Sequence, residues 1–472
     1  PLRGCDDFHL ANSPQVNTYV EAVRRRNYPN LRILILTRGR PSLPLEELRI
    51  KGVAVVIGQG PLTFSREESR EFFASNGVAD PAVADLAWEY TEGWAAALWL
   101  SLQSYMTSGI IEPVHDLDKL ISETIFFNYE VEDQVLLLKL SLLERFTLRQ
   151  VAIIGGGVQA SHRLQMLHDR NAFLLFEPVS DSYRLHSIFR SYLAKHLEQC
   201  ALPACREIDL AELYSNAGKC CLDVESYVQA MQFFLKAGTD EDLLQILKIF
   251  EIPKTANLLV LDPEKISDLV LGIPWRIRFQ CPMGYLGFIC SYLLLTTREK
   301  GRRLLDEAEE HFGAEPGITE DGRRAIQGEI EVCRGMMAYN AVEALCKHYE
   351  KAYKLLRGPS RLITGRYLWA FSYVTTVHSL FKEGDFLPHI KLLQDKRECI
   401  EGLAGELSAG VYELLLAEYM LETGEYKEAE VLIRKSLYKS AGKGQLLHTF
   451  PKTYSWYRLL IAQEHTQQAW EE

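Results

Sequence analysis

"LLLAEYMLETGEYKEAEVLIRKSL", residues 414–437, consists of two apolar, helix-forming segments on either side of a single glycine, Gly424. Apolar residues recur three and four positions apart, which is the period of an amphipathic helix. The pattern therefore predicts two helices joined by a tight turn. A similar stretch, "LFKEGDFLPHIKLL" at 380–393, carries Gly384 in the same place, 40 residues before Gly424. Recurrence at this spacing predicts an array of tetratricopeptide-like helical repeats.

Helical hairpins cannot bury their apolar faces alone, so successive pairs stack into a superhelix with a concave surface. We predict such an array over residues 201–472, with a ligand or a protein bound on its concave side. Trp369, Phe371 and Tyr373 would either line that groove or pack in the core. Core packing is the more common fate of such residues.

Composition and charge exclude several classes of protein. The net charge is −11, which argues against a long, nonspecific grip on nucleic acid, because such binding needs a basic surface. The longest apolar run, residues 285–295, is shorter than the roughly 20 residues that span a bilayer, and the first residues do not resemble a secretory signal. Ten cysteines without a CxxC pair indicate reduced thiols. We expect a cytoplasmic protein with no membrane contact.

The first 75 residues predict part of an open α/β sheet. The apolar run "LRILILTR" at 31–38 is typical of a parallel strand covered on both faces, and "VAVVIG" at 53–58 predicts another strand. If Asp6 and Asp7 end one strand and Arg38 ends its neighbour, an acid pair and an arginine meet at one edge. That arrangement suits a magnesium ligand and a phosphate sensor. Alternatively, the aspartates only cap a turn and the arginine is solvated.

The phosphate-binding loop that should accompany such an edge is missing from the sequence. That loop needs the pattern GxxxxGK followed by serine or threonine. Lys219 in "AGKC" and Lys443 in "AGKG" lack both the preceding glycine and the hydroxyl, and the glycines at 155–157 precede no lysine. We therefore expect the N-terminal part of this α/β domain to lie before Pro1.

Between residues 64 and 200 the sequence predicts helices followed by a winged helix. Ser65 and Glu68 have the spacing of a helix-capping box, and we place a helical lid subdomain over residues 76–115. "AFLLF" at 172–176 and "YRLH" at 183–186 flank a turn. Helices on either side of such a hairpin predict a winged-helix-like domain over residues 116–200.

Five strings resemble, in the same order and at similar intervals, the MalT-like, LuxR-type ATP-dependent transcriptional regulators. These are signal-transduction NTPases of the STAND type, with a tetratricopeptide-like sensor. Any one string is weakly specific, but five in order are strongly so. They are "CDDFHL" at 5–10, "LRILILTRGRPSLPLEELR" at 31–49, "LTFSREES" at 62–69, "TEGWAAAL" at 91–98 and "YRLHSIFRSYL" at 183–193.

The resemblance assigns roles to four residues. Asp6 and Asp7 match the Walker B acids, so Asp6 would lie near magnesium and Asp7 would polarise water. Arg38 matches the sensor arginine that closes on the terminal phosphate. His186 matches the winged-helix histidine that touches the nucleotide phosphates and holds the resting state shut. From the sequence alone, a histidine at this position is more often a core or surface residue.

The chain is therefore predicted to be mostly α: a truncated α/β P-loop-type NTPase remnant, a helical lid, a winged helix and an α-α superhelical array. We interpret it as the central fragment of a nucleotide-switched transcriptional regulator that lacks the Walker A segment and the C-terminal helix-turn-helix. The full-length parent would bind ATP or ADP with magnesium, self-associate and act as a weak switch ATPase. DNA would be bound only through the missing C-terminal domain.

This chain alone is expected to hold no nucleotide tightly. An alternative interpretation is a helical-repeat scaffold for protein contacts, with a non-functional NTPase relic at its N-terminus. A self-sufficient hydrolase using Asp6 and Asp7 is the weakest hypothesis, because adjacent strand residues point to opposite faces of a sheet.

Overall fold

A computed structural model describes residues 2–6, 8–11, 13–26, 28, 30–37, 41–58, 60–111, 115–169, 173–252, 255, 258–295, 298–338, 341–366, 386–405, 409–440 and 446–463. The chain packs as two compact units, Pro1–Cys220 and Cys221–Glu472. Helices dominate both units, which confirms the predicted mostly α fold with helical repeats. The four domain ranges given above remain predictions.

The first unit begins with a strand, helix, strand arrangement. Ser13 caps α2 by accepting a hydrogen bond from the Val16 amide, and Pro14 occupies the first helical turn. The two strands are parallel, with Leu2 opposite Arg32, so the predicted α/β order is confirmed for this part of the chain. The elements are β1 (Leu2–Cys5), α1 (Phe8–Ala11), α2 (Pro14–Arg25), β2 (Arg32–Ile35) and α3 (Leu45–Ile50).

Two expectations for this sheet are wrong. Residues 53–58 form no strand, and Val55 in that segment is 88% exposed. The β2 strand is not covered on both faces, since Ile33 and Leu34, which point to opposite faces, are 37% and 41% exposed. A strand needs a hydrogen-bonded neighbour, and within the described ranges β1 and β2 pair only with each other.

Three helices follow: α4 (Arg66–Ser75), which ends before the predicted lid range, and α5 (Pro81–Thr91) and α6 (Ala95–Ser108), which lie within it. The predicted capping box is confirmed, because the Ser65 hydroxyl accepts from the Glu68 amide and the Glu68 carboxylate accepts from the Ser65 amide. Asp80 caps α5 with its side chain, which accepts from the Ala82 amide at 2.9 Å. The three helices bury a small apolar core, made of Phe73, Ala84, Ala87, Leu98 and Leu102.

The winged helix has the predicted order of helices, hairpin and helix. The two strands of the hairpin are antiparallel, with Leu174 opposite Leu185. Phe146 extends this sheet by a backbone bridge to Tyr183. The elements are α7 (His115–Thr124), α8 (Val131–Leu140), α9 (Leu148–Gly155), α10 (Val158–Asp169), β3 (Leu174–Glu177), β4 (Ser182–Leu185) and α11 (Ser187–Glu198).

From residue 210 onward the described chain is helical, and neighbouring helices pack in pairs. The helices are α12 (Leu210–Asp223), α13 (Tyr227–Ala237), α14 (Asp240–Ile249), α15 (Leu258–Leu261), α16 (Pro263–Leu271), α17 (Trp275–Arg278), α18 (Pro282–Leu295), α19 (Arg298–Ala314), α20 (Glu320–Met337), α21 (Val342–Leu356), α22 (Arg361–Arg366), α23 (Phe386–Asp395), α24 (Arg397–Ala404), α25 (Val411–Thr423), α26 (Tyr426–Ser440) and α27 (Leu446–Ala462). Short 3-10 turns occur at Gly60–Leu62, Phe126–Asn128 and Pro203–Glu207.

The hairpin at 414–437 forms as predicted, with α25 and α26 on either side of Gly424. This glycine has a φ of 83°, a left-handed conformation that favours glycine at a helix end. Ala417 and Ala429 are fully buried where the two helices meet α27. Gly384 and the aromatic residues Trp369, Phe371 and Tyr373 lie outside the described residues. No helix in the described ranges is long and apolar enough to cross a membrane.

Candidate functional site

The carboxyl ends of β1 and β2 meet at one edge of the sheet, as the sequence predicts. Cys5 lies opposite Ile35, and the backbone amide of Leu36 donates to the Cys5 carbonyl at 2.9 Å. Asp6 follows directly and is exposed. Asp7 and Arg38 lie outside the described residues.

The roles of these three residues therefore remain predictions. In the described part of the chain, His, Cys, Asp and Glu side chains nowhere gather in a group of three or more that could hold a metal ion. A magnesium site at Asp6 is thus not tested by the geometry.

His186 lies at the N-cap position of α11, directly after β4, and is only 3% exposed. Its backbone amide donates to the Phe173 carbonyl at 2.8 Å. The imidazole ring packs edge-on against Phe173 and Trp94, with centroid distances of 5.7 and 6.4 Å. The predicted site residue is therefore held rigidly between the hairpin and the start of α6.

The ring of His186 has an unusual electrostatic environment. Burial lowers the pKa of His186 below its ordinary value, the nearby carboxylate of Glu92 raises it, and Arg184 lowers it again. The net direction is downward, so the ring is neutral at pH 7. Its Nδ1 atom is buried and has no hydrogen-bond partner among the described residues. A buried polar atom without a partner is costly, so this nitrogen requires an explanation.

Glu92 joins the lid to this site. Its Oε1 atom accepts from Arg184 Nη1 and from the Ser187 amide, each at 3.1 Å, and its Oε2 atom accepts from the same Nη1 at 3.0 Å. Burial raises the pKa of Glu92, but the Ser187 hydrogen bond, the proximity of His186 and the interactions with Arg184 outweigh it and leave the pKa lowered. The carboxylate is ionised and lies at the N-terminus of α11, where a negative charge is favourable.

The backbone around Glu92 is held by close packing. Glu92 itself has a φ of 48° and Gly93 a φ of 76°, both in the left-handed region. A Cβ atom on Gly93 would lie 2.1 Å from the Phe64 carbonyl oxygen, so only glycine fits there. That carbonyl also accepts from Trp88 Nε1 at 2.8 Å. The "TEGW" turn at residues 91–94 is therefore a tightly packed corner of the chain.

Sequence reasoning missed Glu92 and Arg184 as site residues. The two are 92 positions apart, so no local spacing connects them. One signal was present: both lie within the strings that carry the family resemblance, one residue before Gly93 and two residues before His186.

Comparisons with known proteins support the winged helix. Residues 122–204 match the MalT winged helix domain family. The chain is 28% identical over 260 residues to the HTH-type transcriptional regulator MalT of Vibrio cholerae, covering 51% of this chain and 28% of that protein. It is 26% identical over 355 residues to MalT of Cronobacter sakazakii, covering 71% of this chain and 37% of that protein. The matches therefore span about a third of the length of these relatives.

A solved structure also aligns with most of this chain. It is a signal transduction ATPase with numerous domains (STAND) protein with a tetratricopeptide repeat sensor from Pyrococcus horikoshii. The match has a TM-score of 0.47 and 15% sequence identity, and covers 92% of this chain and 61% of that one.

Proposed function

We propose that this MalT-like chain is the central part of a nucleotide-switched, signal-responsive regulator of transcription. The observation that carries the proposal is the position of His186. It is buried in a winged helix of the MalT type, held against the lid, with one ring nitrogen that has no partner among the described residues. A phosphate oxygen of a bound nucleotide would supply that partner.

The other nucleotide contacts would come from the edge of the β1–β2 sheet. In open α/β sheets, ligands bind beyond the carboxyl ends of the strands, and Asp6 lies at that end of β1. We propose that Asp6 holds magnesium, that Asp7 polarises water and that Arg38 contacts the terminal phosphate. ATP and magnesium would supply the phosphoryl group and the positive charge with which these side chains interact.

The remaining parts of the proposed regulator would be supplied by other polypeptide segments. The exposed faces of β2 support an α/β domain completed by preceding polypeptide, which would carry the phosphate-binding loop. A following helix-turn-helix would read DNA. An inducer or regulatory protein would bind the helical repeats and, with ATP, favour a self-associating state over an ADP-held one.

Titration calorimetry with magnesium and ATP or ADP tests this proposal. We expect no binding to the 472-residue chain and clear binding to a version extended upstream. In the extended protein, His186→Ala should weaken ADP binding about tenfold, because a hydrogen bond to a charged group is lost. His162→Ala, an exposed histidine on α10, is the matched control. Tight ATP binding by the chain alone, or none by the extended protein, would overturn the proposal.

A second candidate is a repeat scaffold that acts only through protein contacts. The contrast between the well-packed helices of the second unit and the uncovered β2 strand favours it. Stable protein partners in a pull-down, together with no effect of nucleotide on the extended protein, would support this alternative.

A further inference from the structure

We propose that Glu92 is a positioning residue that locks the lid helices to the winged helix and so keeps His186 buried. The lock consists of the Glu92 carboxylate, the Arg184 guanidinium and the Ser187 amide. It rests on the geometry of the first unit. Its consequence for a nucleotide switch rests on the function proposed above.

The lock connects the turn after α5 to the winged helix. Glu92 belongs to the turn between α5 and α6, whereas Arg184 and Ser187 flank His186 in the winged helix. Both carboxylate oxygens of Glu92 are used. The Ser187 hydroxyl adds a weaker bond to the Tyr90 carbonyl at 3.4 Å. Separation of the lid from the winged helix would break these bonds together.

Arg184 is itself held in place from the winged-helix side. Its Nε atom donates to Glu177 Oε1 at 3.2 Å, and Glu177 also accepts from Arg145. The Arg184 guanidinium therefore remains bound to the hairpin when the lid separates. The contacts that break are those made by Glu92. Charged hydrogen bonds of this kind, partly shielded from water, are stronger than neutral ones.

The backbone of Glu92 indicates that this side chain is placed for the contact. A left-handed backbone conformation is unfavourable for a residue other than glycine. Glu92 adopts it at a φ of 48° and offsets the cost with its hydrogen bonds to the winged helix. Opening of the lock would expose the His186 ring to water and withdraw the carboxylate from the N-terminus of α11.

Hydrogen exchange and NMR titration of the full 472-residue chain test the lock. In Glu92→Gln, we expect exchange of the amides at the start of α11 to rise about tenfold or more, since at least one charge-assisted hydrogen bond is lost. The pKa of His186 should rise towards its ordinary value as the ring becomes hydrated. Glu92→Asp should restore part of the protection.

Glu89→Gln is the matched control, because Glu89 is an exposed acid on α5 that pairs with Arg66 instead. It should change neither readout. Arg184→Gln provides a second test if Glu92→Gln folds poorly, and it should have the same effect. Unchanged exchange in Glu92→Gln, with a lower His186 pKa, would overturn the proposal, since Glu92 would then be only a neighbouring charge. Neither readout involves nucleotide, so this failure is distinct from failure of the proposed function.

Discussion

The first unit contains two small sheets that differ in how their residues are covered. In the parallel β1–β2 pair, Ile33 and Leu34 expose 37% and 41% of their surface on opposite faces. In the antiparallel β3–β4 pair, Leu174, Tyr183 and Leu185 expose only 3%, 9% and 2%, although Phe176 exposes 38%. Both sheets have two strands within the described residues, so strand number does not explain the difference.

The difference lies in what packs against each sheet. The hairpin is covered by helices on either side in sequence and is extended by Phe146, which exchanges two backbone hydrogen bonds with Tyr183. A two-stranded sheet is only marginally stable by itself, and parallel strands occur almost only where helices cover both faces. The hairpin therefore has the cover that a stable sheet needs, whereas β1–β2 depends on additional contacts.

Truncation of a side chain to alanine should give the largest difference in lost stability between the two sheets. Phe146 is fully buried, so Phe146→Ala should destabilise the winged helix by about 3 to 5 kcal/mol. Ile33→Ala on β2 should cost less than about 1 kcal/mol, because its side chain is already partly hydrated. Hydrogen exchange of peptides from each sheet measures both effects. Equal losses would contradict the difference in cover.

Sequence reasoning predicted local elements better than the tertiary packing that covers the sheets. The capping box at Ser65, the hairpin around residues 174–185 and the helical pair around Gly424 depend on residues close in sequence, and all three are found. The segment at 53–58 has strand-like composition, but composition cannot say whether a neighbouring strand is present to pair with it.

The site was less predictable, because its contacts join residues that are distant in sequence. His186 was identified through a family resemblance, and its burial between Trp94 and Phe173 depends on tertiary packing. The Glu92–Arg184 contact joins distant parts of the chain, so periodicity and spacing contain no signal for it. Asp7 and Arg38 lie outside the described residues, and their roles stay predictions.

The stability of the winged helix should depend on pH near neutrality. Burial lowers the pKa of His186, with Glu92 raising it and Arg184 lowering it, and burial also lowers the pKa of His196 on α11. Below the ordinary histidine pKa of about 6.5, the unfolded state binds more protons than the folded state. Stability is therefore full above that pH and falls as the pH drops towards the lowered folded values.

We expect protection of the β3–β4 peptides, corrected for intrinsic exchange rates, to fall as the pH drops from 7.5 to 5.5. His186→Gln should remove part of this dependence and leave the contribution of His196. Glu92, whose pKa is lowered, loses its contribution only at more acidic pH. A pH-independent hairpin would show that the His186 ring is hydrated in solution.

The smallest effect is expected for a charged substitution on the uncovered strand. Leu34 is 41% exposed, so in this chain Leu34→Lys should change stability by less than about 0.5 kcal/mol. In a version extended upstream, we expect the same substitution to be strongly destabilising, because a lysine would be buried without a partner when the sheet is completed. Urea unfolding of both proteins gives the comparison. A large loss in the chain alone would instead mean that β2 is already covered in solution, and a mass measurement would then show whether a second copy provides that cover.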